Sequence, residues 1–162
     1  MVVSNTSPLV YLAELGDFAL LPELFSEAAI PPGVYEEISV GGTGLPVAYA
    51  VEGALASWLS VKEIASKPKA GLLRQCGLHT GEAEAIVLAE EIQAPTLLMD
   101  DRDGIQAAAA AGINVIRTLG IYRLAKGRGI ISAVPPKLDE LRRAGFWVRD
   151  EHYRMILESL GE

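Results

Sequence analysis

Asp100, Asp101 and Asp103 fall within four positions, directly after the apolar run Thr96-Leu97-Leu98-Met99 and directly before Gly104 and an alanine-rich stretch over 106–111. The pattern reads as a buried strand, a loop and a helix start. Ligands of open α/β sheets bind beyond the carboxyl ends of parallel strands, so carboxylates placed there stand where chemistry is done. Two adjacent aspartates repel one another unless a cation or a shared proton relieves them. Any one of them also has a plain structural use, because Asp is a good N-cap and loop residue.

Further polar groups fall after other predicted strands: Asn5 after the first, Glu36 and Glu37 in the helix after the second, and Glu82 and Glu84 at the start of the helix feeding 96–99. Parallel strands put their carboxyl ends on one edge, and a helix antiparallel to them starts on that same edge. Groups from four chain segments are therefore expected to converge. Glu82 and Glu84 are two apart on a helix and point to nearly opposite sides, so one of them faces the cluster; the spacing does not say which. An oxygen-only cluster suits Mg²⁺ or Mn²⁺ rather than zinc, and such ions clamp phosphoryl oxygens and activate water for in-line attack.

Other chemistries find little support. Cys76 is alone, which excludes an internal disulfide and a cysteine zinc site. His79 lies beside a helix start and His152 in the last helix, and a lone His is more often structural. There is no Gly-x-Ser-x-Gly elbow, and Gly41-Gly42-Thr43-Gly44 lacks the Lys-Ser/Thr of a phosphate loop. A phosphohydrolase of small phosphate esters is a weaker reading of Asp100-Asp101, because its nucleophile motif has two aspartates separated by one residue at the first strand, where this chain has Asn5.

Short strands are predicted near 2–4, 28–30, 58–62, 96–99 and 113–116. Helices are predicted from Leu9 to Leu15, Asp17 to Phe25, Gly33 to Ser39, Pro46 to Ala56, Thr80 as N-cap to Gln93, 104–111, Leu119 to Lys126, after Pro135-Pro136 to Ala144, and from an Asp150 cap to Leu160. Residues 65–71 read as loop, and Phe146-Trp147-Val148 as a short extended segment, better suited to capping the core than to serving a contact between subunits. The alternation of strands and helices implies a parallel sheet with helices on both faces.

The chain has 162 residues, half of them hydrophobic, which supports one domain with a sizeable core. No apolar run reaches the roughly 18 residues of a membrane span, the start Met1-Val2-Val3-Ser4 has no basic region of a signal peptide, and a cytoplasmic protein is expected. The net charge is −7, divided into −9 over residues 1–100 and +2 over 101–162. An acidic whole argues against broad electrostatic binding of nucleic acid, though it leaves room for a metal-dependent nuclease with a local basic face. Arg117, Arg123, Lys126 and Arg128 form such a face, with no acid between 117 and 128; its plain alternative is a solvated helix surface.

Together these landmarks resemble the PIN domain, and within it a prokaryotic group similar to VapC-type toxin ribonucleases. The resemblance is carried by Ser4-Asn5-Thr6-Ser7-Pro8-Leu9, Ile30-Pro31-Pro32-Gly33-Val34-Tyr35-Glu36-Glu37-Ile38, Gly81-Glu82-Ala83-Glu84-Ala85-Ile86, Leu97-Leu98-Met99-Asp100-Asp101-Arg102, Leu119-Gly120-Ile121 and 138–146, in that order. It implies an α/β/α three-layer sandwich with a central parallel, Rossmann-like sheet, as one domain over 1–162 with 133–162 a C-terminal helical extension. It implies a Mg²⁺- or Mn²⁺-dependent ribonuclease, with catalytic Glu37, Glu82, Glu84 and Asp101, metal ligands among Asn5, Glu37, Glu84, Asp100 and Asp101, and Thr6, Ser7 and Arg102 on the substrate side. A homodimer, an RNA substrate and an antitoxin protein are the implied partners. Asn5 departs from the family pattern: it stands where the first acid is expected, and an amide oxygen ligates a hard cation without bringing charge. The alternative is therefore a weakened PIN domain that binds RNA or a protein without cutting.

Overall fold

The structure, a computed structural model, describes residues 1–146 and 150–160. Trp147 and Val148 of the predicted extended segment, and the side chains of Asp150 and His152, lie outside the described residues. Strands β1 (Val2–Ser4), β2 (Ala28–Ile30), β3 (Leu59–Val61), β4 (Leu97–Leu98) and β5 (Val115–Ile116) form an all-parallel sheet in the order β3-β2-β1-β4-β5. Each lies inside its predicted stretch. The three inner strands are buried along their whole length, as expected of a parallel sheet covered on both faces.

The helices are α1 (Thr6–Glu14), α2 (Leu20–Phe25), α3 (Pro32–Glu36), α4 (Pro46–Leu55), α5 (Lys67–Gln75), α6 (Thr80–Glu91), α7 (Arg102–Ala110), α8 (Thr118–Gly127), α9 (Pro135–Arg143) and α10 (Asp150–Leu160). The pleat sends alternate strand residues to two cores. Val2, Ala28, Ile30 and Leu98 pack with α1, α2, α4, α8 and α9. Val3, Ala29, Leu97 and the following Met99 pack with α5, α6 and α7. This is the α/β architecture with a layer of helices on either side of the sheet.

The C-terminal helices are built onto the first core. Leu138 and Leu141 of α9 are fully buried there, with Tyr153 and Leu157 of α10 packed against it; burying a leucine contributes about 1.5–3 kcal/mol. A polar seam reinforces the join. The buried Tyr122 donates to Asp17 Oδ2 at 2.8 Å, and Lys137 bridges that same oxygen at 2.9 Å and Glu140 at 3.0 Å.

Two local readings are corrected. The stretch read as loop over 65–71 runs into α5, whose start is held from a distance: Glu91 at the far end of α6 accepts the Ala65 and Ser66 N–H groups at 2.9 and 2.7 Å. The N-cap of α6 is His79 rather than Thr80, because Glu82 folds back onto the His79 N–H at 3.0 Å and so fixes His79 as the residue before the first turn.

The connections set the position of the site. The chain adds β2 and β3 on one side of β1, then crosses through α5 and α6 to place β4 on the other side. The order reverses between β1 and β4, and the crevice beyond the carboxyl ends at such a reversal is where open α/β sheets bind ligands.

Candidate active site

Asn5 and Asp100–Asp101 flank that crevice. Asn5 follows the last residue of β1, and its backbone N–H donates to Leu98 O of β4 at 3.0 Å. Its side chain caps α1, accepting the Ser7 N–H at 3.2 Å, and only 2% of the residue is exposed. Asp101 caps α7, with Oδ1 accepting both the Asp103 and Gly104 N–H groups at 2.9 and 3.0 Å. Oδ2 of Asp101 has no protein partner among the described residues.

Glu37 reaches this edge from the other side of β1. Helix α3 begins at the Pro31-Pro32 pair after β2 and passes at Glu37 into a π-helical turn, Glu37–Gly41; such turns recur at functional sites. Both carboxylate oxygens of Glu37 are engaged. Oε2 accepts the Thr6 hydroxyl at the start of α1, and Oε1 accepts the Gly81 N–H at the start of α6 at 3.0 Å.

Glu82 and Glu84 divide as their spacing requires. Glu82 faces the rim. Burial pushes its carboxyl up, the His79 N–H pulls against this, and the charges of Asp101 and then Glu37 push it up further. Glu84 turns the other way and accepts the Gly33 N–H at 2.7 Å, tying α6 to α3. Asp100 is held by Thr118, which donates its N–H to Oδ1 at 2.9 Å and its hydroxyl to Oδ2 at 2.6 Å, while Arg117 Nε lies 3.9 Å from Oδ1.

The structure thus brings Asn5, Thr6, Glu37, Glu82 and Asp101 to one rim, with Asp100 immediately behind. Ser7 contributes its backbone N–H to Asn5, Arg102 is exposed on the first turn of α7 next to the rim, and Glu36 is exposed outside it. Reading the sequence missed Thr118, Gly33 and Gly81. Thr118 carried a usable signal, a hydroxyl residue directly after a predicted strand. The glycines carried none that is local, because each is demanded by a carboxylate from a distant segment.

The profile of the family described as "DUF3368: PIN domain" matches residues 1–162. The chain belongs to the PIN-domain family. PIN domains are typically metal-dependent nucleases and generally use divalent metal ions. No curated protein matches the chain. Among solved structures, the PIN fold of this chain is similar to that of a PilT N-terminus domain protein from the hyperthermophilic archaeon Sulfolobus solfataricus P2, with a TM-score of 0.57, 24% identity, and coverage of 78% of this chain and 91% of that one.

The residues of this PIN domain fit a hard divalent cation by their chemistry. The rim donors are all oxygen. Among the described residues, none of Glu37, Glu82 and Asp101 has an ion pair with Lys or Arg, and Glu82 feels both of the others as repulsion. No three Asp, Glu, His or Cys side chains among the described residues form a ready-made metal cage. Mg²⁺ does not require one: it keeps several waters and is held by one or two carboxylates together with substrate phosphates.

Gly81 offers a test that separates site from fold. A Cβ there would meet Glu37 Oε1 at 2.7 Å, Oε2 at 2.8 Å and Cδ at 2.9 Å. Glu37 is exposed, so its carboxylate can swing into solvent by giving up its hydrogen bonds to Thr6 and the Gly81 N–H, a loss of about 1 kcal/mol that alanine, the better helix former by about 1 kcal/mol, offsets. Gly81→Ala is expected to leave the melting temperature unchanged or raised. It is also expected to lower metal-dependent cleavage by at least about tenfold, since a misplacement near 1 Å can cost about 10². A denaturation curve and a cleavage rate on the same preparation check the opposite signs.

Asp100 gives a pH dependence. Burial raises its carboxyl above the usual 3.8, with the two Thr118 hydrogen bonds and the Arg117 charge opposing. An acid whose folded pKa is raised holds its proton longer in the folded state, so stability falls as pH rises from the unfolded value near 3.8 through the folded one. Asp100→Asn can keep both Thr118 contacts, because the Thr hydroxyl can turn from donor to acceptor. In EDTA, urea denaturation midpoints from acid to neutral pH are expected to decline less for Asp100→Asn than for the native protein. Parallel declines would remove Asp100 as their source.

Proposed function

We propose that this PIN domain is a Mg²⁺- or Mn²⁺-dependent endoribonuclease of the cytoplasm, the toxin half of a toxin–antitoxin pair that acts as a homodimer. The observation that carries the nuclease reading is the gathering of Glu37, Glu82 and Asp101 at the β1/β4 crevice, none of them in an ion pair with Lys or Arg among the described residues. A bound divalent ion would offset this repulsion, polarise the scissile phosphate and make water a better nucleophile.

The chain's own residues have distinct tasks in this reading. Asp101 and Glu82 would hold the ion through the oxygens their helix caps leave free. Glu37, fixed at both oxygens by Thr6 and Gly81, keeps a negative wall in register against α1 and α6. Asn5 supplies a neutral oxygen or orients a water. Asp100, clamped by Thr118, fixes the turn that aims Asp101. The toxin role, antitoxin and dimer rest on resemblance alone.

The test is Mn²⁺ calorimetry on the native protein alongside cleavage of a single-stranded RNA with and without the ion. Saturable Mn²⁺ binding with ion-dependent cleavage is the expected result. A second reading has its own observation: the Asn5 amide oxygen is already used to cap α1, which suits a weakened domain that binds RNA or protein without cutting. RNA binding without turnover at saturating Mn²⁺ would establish that reading in place of the first.

A further inference from the structure

Two clefts leave the carboxylate rim in different directions, and each carries an arginine without an ion pair among the described residues. The first is a cavity of about 500 Å³ between the end of α5 and the start of α6, walled by Arg74, Gln75, His79 and Thr80. It shares its α6 wall with the rim, because the next residue, Gly81, holds Glu37 at 3.0 Å. The second, about 540 Å³, runs along the open edge of β5 and the first turns of α8, between Arg117, Leu119 and Arg123. It begins just behind the rim, where Arg117 lies 3.9 Å from Asp100 and the neighbouring Thr118 grips that carboxylate. Arg123 lies five residues beyond Thr118, about 7.5 Å along the helix.

A catalytic rim made of carboxylates repels the polyanion it must hold. Cations close on either side of it solve that problem locally, without a basic surface overall, and this chain is −7 in total. The four Lys or Arg of residues 1–100 all fall between Lys62 and Arg74; Lys69 is paired with Glu90, and Arg74 is the one of the four that walls the cleft. The second cleft adds an apolar side at Leu119, and a cationic groove that follows the backbone is how proteins track single strands. Paired bases in a duplex are not available to enter such clefts.

We infer that the two clefts are the arms of a single-stranded polynucleotide track, which seats one phosphate on Arg74 and another on Arg123, on either side of the phosphate at the rim. The inference rests on the nuclease reading of that rim. Both arginines are exposed, so their truncation spares the core.

The test is fluorescence anisotropy in EDTA with a labelled single-stranded RNA of about 12 nucleotides. Each phosphate contact contributes a salt slope of about 0.7, worth about fourfold in affinity between physiological salt and about 1 M. Arg74→Ala and Arg123→Ala are each expected to weaken binding about fourfold at physiological salt and to lower the slope by about 0.7. The double variant is expected to lose about fifteenfold. Arg143→Ala, on α9 outside both clefts, removes the same charge and is expected to change neither quantity. Wild-type affinity and slope in either cleft variant overturns the track, as does an equal loss in Arg143→Ala or equal binding of a duplex RNA of the same length. A native protein that binds through both arginines but cuts nothing in Mn²⁺ keeps the track and removes the nuclease reading. Ion-dependent cleavage with binding indifferent to both arginines does the reverse.

Discussion

Asp101→Asn is expected to lose at least about a hundredfold in metal-dependent RNA cleavage while keeping the stability of the native protein to within about 0.5 kcal/mol. The first half follows from charge. Removing the hydrogen-bond partners behind a metal ligand already costs about 10–100-fold, and here a carboxylate at the rim itself becomes a neutral amide. The second half follows from the cap. Asp101 Oδ1 holds the Asp103 and Gly104 N–H groups, and Asn caps a helix about as well as Asp. Asp101→Ala differs in a useful way, because it removes the cap as well and is expected to cost about 1 kcal/mol. The pair of variants separates loss of chemistry from loss of structure. Cleavage by Asp101→Asn at the native rate would take Asp101 out of the site, whatever its folding.

The parts of this molecule that sequence reveals are those set by neighbours along the chain. The inner strands are short buried runs, apolar except for Ser4, bounded by Asn5-Thr6, Pro31-Pro32 and Asp100-Asp101, and each punctuation mark is also a helix start. The residues that stop β1 and β4 therefore lie on the candidate rim, which is why the meeting of Asn5 and Asp101 could be read before the fold, while Glu37 was set apart from Glu36 only by the family resemblance. What was not legible is set by partners far away. Helix α5 contains Gly71 in its interior and leaves Leu72 exposed, so its apolar pattern signals a helix weakly. It forms because Glu91 caps its start and Ala70 packs on α6. Likewise, periodicity says that only one of Glu82 and Glu84 faces the rim. The choice is made by Gly33, whose missing side chain lets Glu84 approach its N–H: a Cβ there would stand 2.8 Å from Glu84 Oε2.

Asn5→Asp is expected to move stability and metal affinity in opposite directions. Asp replaces Asn as the cap of α1 at no cost, so the Ser7 N–H stays satisfied. The new charge, however, enters a position only 2% exposed, on the rim that already gathers Glu37, Glu82 and Asp101. In EDTA at neutral pH this is expected to cost about 1–3 kcal/mol, the penalty of an uncompensated buried polar group. Burial and like charge raise the folded pKa of the new acid. The loss is therefore small at acid pH, where it is protonated in both states, and grows as pH rises through the unfolded and then the folded value. Mn²⁺ offsets this loss. An ion held by one more carboxylate binds more tightly, and at about a hundred times its dissociation constant it returns about 2.7 kcal/mol to the folded variant, more than the weaker-binding native protein gains at the same concentration. Calorimetry and denaturation curves with EDTA or Mn²⁺ check both arms. Mn²⁺ affinity equal to that of the native protein would show that residue 5 does not face the ion. Higher affinity with new or faster cleavage would show that the rim is built for chemistry and that the amide at this one position limits it.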